Sequence, residues 1–140
     1  MSQENAELVR QGYEAFAQGD IEAALAILDP VIRVEDHDRS LETPTTYHGR
    51  DGFLTLFAAV NEGFSDVRYT PQNVTDGGDW VLVEVRRTGR GSASGAHVDE
   101  RQFHLWDVVA GRAVRLRVYL DRAKALVAVG LSEPTQGGES

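Results

Sequence analysis

The chain has 140 residues, a formal net charge of −8, 26% charged and 41% hydrophobic residues, which suits one domain with a real core and leaves too little for two ordinary ones. The acidic excess argues against a sequence-independent grip on nucleic acid, which needs clustered Lys and Arg to displace counterions; Lys124 is the sole lysine. Cysteine is absent, so disulfides, Cys-ligated zinc and thiol nucleophiles are ruled out.

Residues 3–18 read as an amphipathic helix, with Ala6, Val9, Tyr13, Phe16 and Ala17 at three- and four-residue steps along one face. Gly19 supplies a C-terminal stop. Asp20 is a suitable N-cap for a second helix over 21–28, which Asp29-Pro30 should end, because proline disfavours helical geometry in the residue before it. Residues 31–36 suit a short strand with Val34 and Asp36 on one face and Arg33 and Glu35 on the other. A polar loop over 37–50 follows, and then a third helix over 51–64 with Phe53, Phe57, Val60 and Phe64 along one stripe. The hydrophobic period then changes from 3.6 to 2. Four strands are expected at 66–75, 79–90, 97–110 and 113–121, punctuated by Asp76-Gly77-Gly78, Gly89–Gly95 and Ala110-Gly111. A short helix over 122–131 closes the domain, and the tail over 132–140, without apolar anchors, is expected to be disordered.

Helices first and then strands at close turn spacing predict an α+β domain over 1–131: a curved antiparallel sheet with three helices on one face. Such a sheet leaves a conical hollow, a natural site for a small molecule. The opening residues have no basic-then-apolar signal pattern and no stretch is apolar enough to span a bilayer, so a soluble cytoplasmic protein is expected.

Several of these residues together resemble a known family. The run Tyr13-x-x-Phe16-x-x-Gly19-Asp20, then Ala24-Leu25-x-x-Leu28 and His48-Gly49-Arg50-Asp51-Gly52, is similar to the NTF2-like superfamily and above all to its SnoaL-like branch, which includes ketosteroid isomerase and polyketide cyclases. Thr88-Gly89-Arg90-Gly91, Gly111-Arg112 and Tyr119-x-Asp121-Arg122 continue the likeness over roughly residues 4–131. The resemblance implies a cone-shaped fold, a homodimer through the outer sheet face, a small mostly apolar ligand and no cofactor. It leaves open whether the chain is an enzyme, because this fold hosts isomerases, cyclases, hydrolases and members without chemistry.

If it is an enzyme, the resemblance implies cofactor-free proton transfer next to a carbonyl, as in isomerisation or cyclisation. Asp36, in Val34-Glu35-Asp36, stands where ketosteroid isomerases carry the carboxylate that shuttles a proton. A base of that kind needs an apolar wall, because partial desolvation raises its basicity. A solvated aspartate at a strand end is the plainer reading. Tyr13 matches the tyrosine that steadies the oxyanion, with a plain core aromatic as the alternative. Gln102 falls where a protonated aspartate is expected; an amide donates a hydrogen bond but is no acid. His104 and Trp106 share the face of Gln102 in a regular strand. His104 is then either an auxiliary acid or base, or a hydrogen-bonded histidine beside a packing tryptophan.

The strand over 79–90 reads two ways. Period alone assigns Val81, Val83 and Val85 to the core; the resemblance implies instead that Trp80, Leu82, Glu84 and Arg86 face the hollow. An interior Glu84–Arg86 arrangement would need partners. Phe16 and Phe57 are candidate ligand contacts on the helices, as are Leu116, Val118 and Leu120 on the last strand. In the epoxide-hydrolase relatives the position of Val118 carries a functional polar group, so that activity is not expected. The Asp36-His37-Asp38 string, with His48 and His97, has no HxH or HExxH spacing, and no metal is expected. No serine sits in a GxSxG elbow, and GRGSASG lacks the lysine of a phosphate loop. The rival to an enzyme is a ligand-binding or dimerisation module that uses the same hollow.

Overall fold

The computed structural model describes residues 2–37 and 45–130. Helix α1 (Ser2–Ala17) ends at Gly19, whose φ of 81° is a left-handed conformation that glycine adopts without strain. Asp20 caps α2 (Ile21–Ala26) by accepting from the Ala23 amide at 3.1 Å. Strand β1 (Leu28–Asp36), the short β2 (Thr45–His48) and α3 (Gly49–Val60) follow. The second half is β3 (Phe64–Asp76), β4 (Trp80–Gly91), β5 (His97–Val109), β6 (Arg112–Tyr119) and α4 (Arg122–Ala128).

The six strands form one curved sheet in the order β2-β1-β6-β5-β4-β3. The meander from β3 to β6 is antiparallel as expected, but β1 pairs parallel to β6, so the sheet is mixed. The chain reaches β1 from the helical half and must cross the whole sheet after α3, which brings β6 back alongside β1 in the same direction. Several boundaries also differ from the sequence reading. The second helix stops at Ala26 and β1 already begins at Leu28, while α3 ends at Val60 and Phe64, expected on its stripe, opens β3. Pro30 lies inside β1, where pairing with β6 is interrupted between Leu28 and Arg33, so its missing N–H costs no ladder bond. Within the expected 37–50 loop, Thr45–His48 pairs with Arg33–Asp36 as an edge strand. Asp38 and the tail over 132–140 lie outside the described residues.

Helices α1 to α3 cover one face of the sheet. Ala6 and Val9 from α1 and Leu56 from α3 pack on Val34, Val81, Val83, Val85, Trp106, Leu116 and Val118. The other face carries a smaller cluster, Leu82, Phe103, Leu105 and Tyr119, under Ala125 and Leu126 of α4. Both sheet faces are thus partly buried within one chain, which is why Trp80–Val83 at the start of β4 is apolar at four successive positions.

Candidate functional site

Between the sheet and α1 to α3 lies a cavity with about 100 Å³ of free space and walls that are almost wholly apolar. Val9, Phe16, Phe57, Leu116 and Val118 are among the apolar side chains that line it. Polar atoms enter at few points: Asp36 on β1, Gln102 and His104 on β5, Tyr13 on α1, and Tyr69 on β3.

Strand register explains how these groups meet. Asp36 pairs with Val118 on β6, and Val118 pairs with His104 on β5, so the three form one row across the sheet. Alternation then points all three at the helices. Gln102 and Trp106 flank His104 on the same face of β5, and both line the cavity. Asp36 is only 5% exposed.

The hydrogen bonds around His104 have a defined direction. Gln102 Nε2 donates to Glu100 Oε1 at 2.9 Å, because a carboxylate can only accept. Gln102 Oε1 therefore faces His104 Nε2 at 2.8 Å, and that ring nitrogen carries the proton. His104 Nδ1 is left to accept from the Tyr13 hydroxyl at 2.6 Å, while Trp106 Nε1 donates to the Tyr13 oxygen at 3.0 Å. Burial pushes the His104 pKa down to about 4, so the ring is neutral at physiological pH. Burial also drives the Tyr13 pKa well above the usual phenol range. The pair is a neutral phenol on a neutral imidazole, with the phenolic proton already engaged and not aimed into the cavity.

Glu100 is held in turn by Arg87 Nη1 at 3.3 Å. Arg87 is 5% exposed and clasps the end of α3 through Val60 O at 2.9 Å and Asn61 Oδ1 at 2.7 Å. Asn61 and Arg87 Nε both reach the Tyr69 hydroxyl.

The β4 assignment implied by the resemblance is overturned, and the one read from period alone holds. Val81, Val83 and Val85 face the helices with exposures of 0%. Trp80 and Leu82 belong to the cluster under α4. Glu84 pairs with Arg101 at 3.1 Å, and Arg86 forms a two-pronged pair with the exposed Asp99. None of these four side chains lines the cavity. Leu120 does not either: it stands past the end of β6, where the strand gives way to the turn before α4.

Glu100, Arg87, Tyr69 and Asn61 escaped the sequence reading. Arg87 was legible in principle, since it continues the inward period 81, 83, 85, 87; a charge there marks a buried partner. Tyr69 and Asn61 come from a strand and a helix end whose proximity only tertiary packing creates. On the opposite sheet face Glu35, 1% exposed, binds Arg115 through two bonds of 2.9 and 3.0 Å, Arg33 at 2.7 Å and His37 at 2.7 Å. Burial alone would raise the Glu35 pKa, but the bonds from Arg115 and His37 and the charges of Arg115 and Arg33 outweigh it and hold the carboxyl below its usual range.

Known proteins agree with this architecture. An NTF2-like protein of unknown function from Burkholderia pseudomallei is 26% identical, with 91% of this chain and 98% of that one covered at a TM-score of 0.72. A putative SnoaL-like polyketide cyclase from Jannaschia is 23% identical, with 95% and 94% covered at a TM-score of 0.72. A protein with a ketosteroid isomerase-like fold from Catenulispora acidiphila, in complex with trimethylamine, is 18% identical, with 89% and 93% covered at a TM-score of 0.68. No curated protein matches the sequence. Among the described residues, no helix is long and apolar enough to cross a membrane. The family model for the SnoaL-like domain matches residues 9–116, and the chain belongs to that family.

Proposed function

We propose that the chain takes a small, mostly apolar molecule into the cavity and that Asp36 acts there as base in a cofactor-free proton transfer of the isomerase or cyclase type. The observation that carries this reading is a nearly buried carboxylate on an otherwise apolar wall, in line with the Tyr13–His104–Gln102 group. Asp36 is the sole carboxylate among the described residues that line the cavity, and so the group there suited to take a proton from carbon. Gln102 keeps a second amide proton with which to meet a developing oxyanion. The similar fold that holds trimethylamine and the polyketide-cyclase-like relative are in keeping with a small-molecule role.

The test is exchange of the protons next to the carbonyl of single-ring ketones such as acetophenone, followed by NMR in deuterated water. Catalysed exchange that falls by about 10²- to 10⁴-fold in Asp36→Asn supports the assignment; equal exchange in both proteins removes it.

A second reading, a binding module without chemistry, is favoured by one observation: the Tyr13 proton is spent on His104, so the cavity lacks the donor that the isomerase comparison implies. Saturable ligand binding with no exchange in the native chain would decide for it. The homodimer through the outer sheet face is part of the proposal too. Because α4 already covers Leu82, Phe103 and Leu105, a second copy would meet the remaining β3–β5 surface, and light scattering of the purified chain tests it.

A further inference from the structure

Glu100 does not line the cavity, and its side chain is 30% exposed. Yet both hydrogen bonds of the His104 ring take their direction from it. A carboxylate offers no proton, so the amide of Gln102 must turn its nitrogen to Glu100 and its oxygen to His104, with one N–H left over. That oxygen fixes the proton of His104 on Nε2. The bare Nδ1 then draws the Tyr13 proton away from the cavity, and the Trp106 N–H holds the phenol oxygen from the other side. Arg87 holds Glu100 in place, itself anchored on Val60 and Asn61.

We propose that Glu100 is a positioning residue that sets the hydrogen-bonding polarity of the cavity, so that Tyr13 meets a ligand as an acceptor and the site prefers single-ring carbonyl compounds that also carry a hydroxyl. This rests on the cavity being a ligand site and names the class of molecule it takes. Asp36 and the Tyr13 oxygen are both acceptors, and the amide of Gln102 supplies a donor. A hydroxy ketone satisfies both kinds of group. A ketone of the same shape without the hydroxyl leaves acceptors desolvated and unmatched, and that mismatch is what discriminates.

The experiment has two arms. In the first, nitrogen-15 NMR of the native chain locates the His104 ring proton; Nε2 is expected, and a proton on Nδ1 overturns the inference. In the second, NMR titration compares 3-hydroxyacetophenone with the near-isosteric 3-fluoroacetophenone. The native chain should bind the hydroxy compound roughly five- to tenfold more tightly, the worth of one net hydrogen bond. Glu100→Gln lets the Gln102 amide turn either way, so the His104 proton should spread over both nitrogens and the preference should collapse. Gln102→Met cuts the same link without disturbing the Arg87 clasp and should do likewise. Equal affinity for the two ketones in the native chain, or a preference unchanged in both variants, overturns the proposal. If neither ketone binds while His104 is protonated on Nε2, the ligand-site reading itself falls and takes the specificity role with it.

Discussion

Asp36 and His104 sit on one cross-strand row with Val118 between them, so their Cα atoms are two strand spacings, about 10 Å, apart. On the proposed function, that distance sets the two side chains at opposite ends of one bound molecule. Substitutions at the two positions should therefore read out differently. Asp36→Asn, nearly isosteric, should lower kcat by about 10²-fold or more while leaving KM close to native. His104→Phe removes the acceptor of the Tyr13 proton and should move KM more than kcat. Steady-state kinetics on any substrate found by proton exchange checks this, and matching losses of kcat in both variants would place His104 in the chemistry as well.

The depressed pKa of His104 makes stability depend on pH. The ring titrates near 6.5 in the unfolded chain and at about 4 in the folded one. Between those values the unfolded state binds more protons, so this contribution is fully present above about pH 6.5 and is lost as the pH falls toward 4. The full loss is roughly 3 kcal/mol. Urea unfolding at pH 7 and pH 4.5 should show most of this slope in the native chain and little of it in His104→Phe. The His104 ring signals should not move between pH 8 and pH 5.5.

Glu35 tests the opposite face. Removing its charge strands Arg115 and Arg33 beside a buried amide, and Glu35→Gln should cost about 2 kcal/mol, below the range for a fully enclosed pair because both arginines reach solvent. Its depressed pKa places the pH effect lower than that of His104: the stabilisation is present above the normal glutamate pKa and is lost as the pH falls through the folded value. Denaturant curves at neutral pH, near pH 4.5 and below pH 4 separate the two groups, the first interval reporting His104 and the second Glu35.

Much of this was legible in local pattern. The period-2 runs of β4 and β5 identified the strands, and the valines of β4 were correctly read as core from alternation alone; family likeness reversed that face. Alternation reports burial wherever one face is wet, but it says nothing about which of two covered faces holds a cavity. That is why Leu82, buried under α4, and the half-buried Trp80 beside it invited the wrong assignment. Tyr13, Gln102, His104 and Trp106 were each singled out, yet the direction of their hydrogen bonds was not. That direction depends on Glu100, which sits two residues from Gln102 and looks like an ordinary surface charge. The parallel β1–β6 pair was equally hidden, since its partners lie some 80 positions apart and no turn links them.

The β5–β6 turn offers a stabilising change. Ala110 and Gly111 both have positive φ, 52° and 78°, between the paired Val109 and Arg112. That is the two-residue turn whose twist matches its strands and which favours Asn-Gly. Glycine fits the second position, but alanine is strained at the first. Ala110→Asn should raise stability by about 1 kcal/mol, read as a higher Tm with an unchanged spectrum. No gain would mean that the turn relaxes in solution.

Cavity size limits what the chain can bind. About 100 Å³ of free space is comparable to the roughly 150 Å³ apolar void that accepts a benzene ring, and well short of what a fused tetracyclic ligand fills. Single-ring ketones and phenols should therefore raise the Tm, since a ligand that prefers the folded state stabilises it by mass action, whereas steroids should leave it unchanged. Phe57, which packs edge-on against Phe16 at 4.9 Å, is one of the rings that bound the cavity from the helical side. Phe57→Ala should cost about 3 kcal/mol in stability and admit two-ring ligands that the native chain rejects. If the native chain already binds the larger compounds, helices α1 to α3 open further in solution than the resting cavity requires.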